Sequence, residues 1–183
     1  MKKEMSAFEI RGTRITDIFP ILELYKTVAT NTAGIAREAN EITEEYINYS
    51  ISETLNSGIG FVAYVDSNLA GEIHCYKLKP NVFKHILSEL TIVVHPEYQN
   101  MGIGRALFSA LLKNVETNRS DILRIELISR ESNTKAISLY EKLGFKKEGK
   151  LEFRIKRKDG SFEADVPMAW FNPNFSKSTG LLN

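Results

Sequence analysis

The sequence predicts a single α/β (α+β) domain, and three observations carry that prediction. Apolar residues recur at helical spacing in four segments, β-branched or alternating runs lie between them, and hairpin turns bracket one strand–helix–strand unit mid-chain. At 183 residues the chain has the length of one domain, taken as 1–183 with a core of about 8–171. Hydrophobic residues make up 43% and charged residues 26%, which excludes disordered, collagenous and membrane composition. Lys and Arg number 24 against 23 Asp and Glu, so a net charge of +1 offers no overall field for a polyanion, and no nucleic-acid partner is expected. The lone Cys75 excludes an intramolecular disulfide and a multi-cysteine metal site, and it fits a reducing compartment. Residues 1–9 lack an apolar leader, and no run of about 18 uncharged apolar residues occurs anywhere. A cytoplasmic protein with no membrane partner is expected.

The elements follow in order. Phe8 to Ile15 alternates as a first strand, and Thr16 and Asp17 are placed to cap a helix carrying Ile18, Ile21, Leu22, Leu24, Tyr25 and Val28. Thr43 can cap a second helix bearing Tyr46, Ile47, Ser50, Ile51 and Leu55. Ile59 to Val65 and Leu69 to Leu78 read as a hairpin turned at Asp66, Ser67 and Asn68. Glu89 to His95 is a β-branched strand stopped by Pro96, which has no N–H for the ladder. A helix over Gly102 to Val115 shows an apolar stripe, and Ile122 to Ile128 is the next strand. Asn133 to Leu143 is a fourth helix closed by Gly144, and Phe145 to Ile155 with Phe162 to Ala169 form a last hairpin. The tail from Asn172 is expected to fray.

Chemistry is concentrated in Gln99-Asn100-Met101-Gly102-Ile103-Gly104-Arg105-Ala106, between a strand and a helix. Glycines at 102 and 104 let the backbone approach a ligand and aim successive N–H groups outward, beside the positive end of the helix. A phosphate cradle is the reading; a ligand-free glycine-rich helix entry is the bland alternative. There is no third glycine of a dinucleotide fingerprint and no P-loop Gly-Lys-Ser/Thr.

The context is more specific. Strand Leu90 to Val94, then His95-Pro96-Glu97-Tyr98 and Q-x-x-G-x-G, then Asn133-x-x-Ala136-x-x-Leu139-Tyr140-x-x-x-Gly144-Phe145, resembles the GNAT superfamily of acetyl-CoA-dependent N-acetyltransferases over about residues 8–171. Met101 departs from the Arg, Lys or Gly often found there. The resemblance implies a mixed, mostly antiparallel central sheet with helices on both faces and a splayed central strand pair. It implies acetyl-CoA as cosubstrate and no metal. Ile92, Val93 and Val94 would run along the pantetheine arm as an added strand, Gln99 to Arg105 would hold the pyrophosphate, and Asn133 and Ala136 would meet the cofactor. Tyr140 would be the general acid, a phenol of pKa about 10 expected to protonate, downhill, a thiolate whose parent thiol has pKa about 8.5.

The base must take a proton from an ammonium of pKa about 10. Glu89, Glu126 and Glu72 all lie on strands; Glu89, read as opening the fourth strand, is the first choice, with His74 and His95 as further candidates. Cys75 has no partner at nucleophile spacing. Seven cations from Lys146 to Lys158 crowd the last hairpin and read as an edge guarded against aggregation. Glu38, Glu41, Glu44 and Glu45 cluster before and within the second helix, the segment that lines the acceptor site in similar enzymes. The expected acceptor is a primary amine of a small molecule or amino acid. A protein N-terminus or lysine is the alternative, a noncatalytic acyl-CoA-binding module is the rival of another class, and a homodimer is left open.

Overall fold

The computed structural model describes residues 7–31, 35–157 and 159–176. Strand β1 (Phe8–Gly12) ends before the expected Ile15 because Asp17 draws the chain out of the ladder. The Arg14 N–H donates to Asp17 Oδ2 at 2.8 Å, and Arg11 holds both carboxylate oxygens at 2.6 and 2.7 Å. Asp17 therefore closes a 3-10 turn ahead of α1 (Ile18–Asn31) and does not cap that helix as expected. Thr43 does cap α2 (Glu44–Ser57), its hydroxyl accepting from Tyr46 N at 3.1 Å.

Strands β2 (Ile59–Val65) and β3 (Asn68–Lys77) form the expected hairpin. Asp66 and Ser67 take φ of 46° and 67°, the left-handed pair of a primed two-residue turn that matches strand twist. Strand β4 (Ile86–Val94) starts three residues earlier than expected. Glu89 consequently lies inside it, at φ 54°, and does not open it. Helix α3 (Ile103–Asn118) and β5 (Arg124–Arg130) follow. The expected start of β5 at Ile122 fails because the Ile122 N–H closes a turn on Arg119 O at 3.0 Å. After α4 (Thr134–Lys142), the strand expected over 145–155 appears as β6 (Lys146–Lys147) and β7 (Leu151–Lys156), both antiparallel to β8 (Phe162–Phe171). The register slips between Leu151 and Ile155, where Phe153 has φ 55°. That irregularity breaks the ladder an unbroken strand would need.

The strand order is β1-β2-β3-β4-β5-β8-β6, with β7 also on β8. Pairs β1–β2, β2–β3, β5–β8, β6–β8 and β7–β8 are antiparallel, and β4–β5 is parallel. This is the mixed, mostly antiparallel sheet the sequence implied. The parallel pairing is confined to Ile86 with Arg124 and Leu87 with Ile125, although the two strands are nine and seven residues long.

The chain divides into two compact units, one of residues up to Tyr76 with Thr91–Leu112, the other of Lys77–Leu90 with the chain from Lys113 on. In the first, Ile21, Leu22 and Tyr25 of α1 and Ile47 and Ile51 of α2 pack on Val62 of β2 and Val93 of β4. Each such side chain contributes about 1.5–3 kcal/mol by leaving water. The opposite face of β3 meets α3 so closely that a Cβ on Gly71 would lie 3.1 Å from both Ile103 Cγ2 and Leu107 Cδ1. That approach seats the first turn of α3.

In the second unit, Ile125, Leu127, Tyr140, Phe145, Met168 and Trp170 are buried. Gly144 ends α4 at φ 94°, against the Trp170 indole. The tail expected to fray from 172 is instead anchored at its start: Asn172 is buried and its Nδ2 donates to Arg119 O and Ile122 O at 3.1 and 2.9 Å. Residues 177–183 lie outside the described residues.

Candidate active site

In the first unit the cradle is built by backbone. Past β4, a 3-10 turn (Pro96–Tyr98) begins at His95, whose Nδ1 accepts the Glu97 N–H at 3.3 Å. The Gln99 carboxamide donates back to Val94 O at 3.5 Å. Asn100 and Gly102 then take φ of 64° and 84°, and a side chain on Gly102 would meet nothing within 4 Å. The first bond of α3 runs from Ala106 N–H to Gly102 O, so the N–H groups of Ile103, Gly104 and Arg105 have no acceptor within their own helix. A Cβ on Gly104 would lie 3.7 Å from Val94 Cγ2 and 3.9 Å from Ile92 Cδ1, ordinary van der Waals contact. Ile92, Val94 and Gly104 thus come together, while Val93 faces the core and Ile103 is buried, leaving these two only backbone to offer a ligand. Three N–H groups at a helix N-terminus, flanked by glycines, fit a pyrophosphate. Met101 supplies no charge, and Arg105 is exposed.

In the second unit Asn133 and Ala136 already bond to each other. Asn133 Oδ1 accepts the Ala136 N–H at 3.3 Å as the N-cap of α4, which leaves its second lone pair and the carboxamide nitrogen to meet a ligand. One helical turn on, Tyr140 is 9% exposed, its ring tilted against Phe145 at 6.1 Å between centroids. Burial pushes its phenol up to about 12.

The order of basicities corrects the expected downhill transfer, and burial widens the gap. A thiolate of parent pKa about 8.5 is a weaker base than a tyrosine phenolate, so complete transfer is uphill by about 2 kcal/mol for an ordinary tyrosine and about 5 kcal/mol for one near 12. A phenol so placed donates a hydrogen bond to developing negative charge and keeps its proton.

The carboxylates are in contrasting surroundings. Glu89 is exposed on its left-handed backbone. Glu126 lies 3.0 Å from Arg124 Nε as an ion pair without hydrogen-bond geometry, and Arg124 also holds Glu148 at 2.6 Å. Glu72 is fully buried: Tyr25 OH donates to its Oε2 at 2.7 Å, and His74 Nδ1 lies 2.9 Å from its Oε1. Sequence reasoning missed Tyr25, which is indistinguishable from the other stripe residues of its helix and 47 positions from its partner. Cys75 is buried. Among the described residues, no group of three or more His, Cys, Asp or Glu could hold a metal ion, and no helix is long and apolar enough to cross a membrane.

The cations of the last hairpin are largely neutralised. Lys147 pairs with Glu141, Lys150 with Glu131 and Glu152, Arg154 with Asp165, and Arg157 with Glu163, all within 3.2 Å. Lys158 lies outside the described residues.

The mixed sheet and glycine-flanked helix entry fit the acyl-CoA-type transferase that the sequence resemblance implied, and comparison with known proteins shows the family. The model of the acetyltransferase (GNAT) family matches residues 20–145, and the chain belongs to that family. It is an acetyl-CoA-dependent acyltransferase. It is similar to an N-alpha-acetyltransferase of Sulfurisphaera tokodaii, 31% identical over 157 residues that cover 79% of this chain and 83% of that protein. The [Ribosomal protein bS18]-alanine N-acetyltransferase of Escherichia coli is 44% identical over 63 residues, 33% of this chain and 41% of that one. Among solved structures, a GNAT superfamily phosphinothricin acetyltransferase from Sinorhizobium meliloti in complex with AcCoA shares the fold at a TM-score of 0.81. Its identity is 18%, over 96% of this chain and 95% of that one.

Proposed function

We propose that this acetyltransferase acylates the α-amine of a peptide or protein N-terminus. The observation that carries the reading is the Sulfurisphaera tokodaii relative, named for N-alpha acetylation and similar over 79% of this chain. The small-molecule acceptor expected from the sequence becomes the competing outcome of the test.

Acetyl-CoA supplies the activated acyl group, and its thioester is attacked by the neutral amine. The N–H groups of Ile103, Gly104 and Arg105 meet phosphate oxygens, and Gly102, where a side chain would meet nothing within 4 Å, keeps the approach open. The backbone of Ile92, Val93 and Val94 carries the pantetheine arm. The carboxamide of Asn133 meets the cofactor beside the Ala136 turn. Tyr140, protonated throughout the working pH range, donates a hydrogen bond where the sulfur gains charge. Glu89, the first choice of base from the sequence, is exposed on β4.

The test is thiol release from acetyl-CoA with peptides of varied first residue, free amino acids and simple amines in parallel. Peptides should give the highest kcat/KM, with the acetyl group on the α-nitrogen by mass spectrometry. A preference for free amino acids or small amines would overturn the acceptor assignment.

A further inference from the structure

A carboxylate and an imidazole lie side by side in the first unit, almost sealed from water, and nothing in the acyl-CoA chemistry above uses them. Glu72 is 0% exposed and His74 2%. Burying such a pair is expensive, and an apolar pair of similar volume would hold the strand as well or better. Their arrangement is specific. Tyr25, whose phenol is pushed well above the usual range first by burial and then by the Glu72 charge, stays protonated and donates to Oε2. Oε1 is left to His74 Nδ1 at 2.9 Å. With Glu72 ionised, Oε1 accepts from Nδ1–H, and in the neutral imidazole that order places the lone pair on Nε2. This is the carboxylate–imidazole order that makes a histidine a base at its far nitrogen.

The network also has a direction. The His74 ring is stacked on Tyr76 (6.1 Å, 9°), and Tyr76 meets Tyr49 edge-on at 6.4 Å. Tyr76 is half-buried and Tyr49 is 55% exposed. The contacts therefore link the sealed interior at Tyr25 to an exposed aromatic ring at the surface, Tyr49. Glu72 lies on the face of the sheet where Tyr25 packs with Val93, a residue of the strand segment assigned above to the pantetheine arm.

We propose that His74, oriented by Glu72 and Tyr25, is the proton acceptor for the acceptor amine. The inference rests on the acetyl-transfer reading and adds the base to it. The ammonium gives its proton to His74 Nε2, and the imidazolium is balanced by Glu72. The freed nitrogen forms the new N–C bond, the C–S bond breaks, coenzyme A leaves as thiolate, and the proton passes from His74 to water. His74 is the catalytic group, and Glu72 and Tyr25 are positioning residues.

The test compares wild type with His74→Gln, Glu72→Gln and Tyr25→Phe, using the amine that gives fastest thiol release. His74→Gln should lower kcat by roughly 10²-fold or more while the KM for acetyl-CoA stays within about twofold. Tyr25→Phe, which removes only a hydroxyl, should lower kcat by a smaller factor in a folded protein. Independently of turnover, side-chain ¹⁵N spectra of histidine-labelled protein, assigned by loss of a signal in His74→Gln, should show Nδ1 protonated and Nε2 bare, with Nε2 shifting on addition of the amine. An Nε2–H tautomer, or a His74→Gln kcat within about threefold of wild type, would overturn the proposal. If peptides fail while other amines are acetylated, only the acceptor assignment falls, and the kcat comparison is made with those amines.

Discussion

At Tyr140, burial decides what the hydroxyl can do. A phenol pushed up to about 12 does not ionise in any ordinary assay, so no falling limb of the pH–rate profile below about pH 11 should belong to it. Tyr140→Phe should lower kcat by roughly tenfold or more and leave the acetyl-CoA KM within about twofold; steady-state kinetics checks both. The same burial sets a stability trend. Because the folded pKa lies above the unfolded value of about 10, the folded state gains from the neutral phenol below pH 10 and loses that gain as pH rises toward 12. Wild-type melting temperature should therefore fall more steeply than that of Tyr140→Phe across that window. Glu163 behaves in the opposite sense. The Arg157 guanidinium and the Ser132 N–H, at 3.0 and 2.7 Å, hold its carboxyl down to about 2, so its contribution is present above about 4.5 and lost as pH falls toward 2. Glu163→Gln should be less stable at pH 7 and show a shallower acid limb, read by thermal melts from pH 7 to 2.

The first turn of α3 is where one element carries a binding site. Acetyl-CoA at 100 times its Kd should stabilise the fold by about 2.7 kcal/mol, a rise of roughly 5–10 °C for a chain of this size. Gly104→Glu should abolish that rise, because it places a carboxylate against the phosphates. A Cβ on Gly104 makes only ordinary van der Waals contacts, so the ligand-free melting temperature should be nearly unchanged. An undiminished shift in folded Gly104→Glu would remove the cradle assignment. Gly102 is a different case: at φ 84° any Cβ is strained, and loss of binding there would mix strain with chemistry.

For the whole molecule, net charge is near zero, and recognition of a charged acceptor depends on local asymmetry. Glu38, Glu41, Glu44 and Glu45 are all exposed, which suits a cationic amine. The structure refines the experiment that tests this, since Glu41 Oε2 accepts the Glu38 N–H at 2.8 Å and so also holds a 3-10 turn. Glu38→Gln alone is the cleaner probe: the acceptor KM should rise and lose part of its salt dependence with no change in melting temperature. A KM indifferent to that substitution and to salt would sink the electrostatic reading.

The sequence by itself determined the elements whose signals are local. The Thr43 cap, the Asp66–Ser67 turn, the Gly144 stop and the glycine-flanked entry to α3 all follow from residues within a few positions of one another, because capping and turn geometry are set by near neighbours. Tertiary structure decided whatever depends on partners far along the chain. Asp17 reads as a helix cap until Arg11 and Tyr64 claim its carboxylate. Glu89 reads as the first residue of a strand until Ile86 and Leu87 are seen paired with β5. Glu72, Glu126 and Glu89 are equivalent carboxylates on paper. Only packing made one exposed, one ion-paired and one buried with His74 and Tyr25, because burial and pairing are properties of what the fold brings beside a residue.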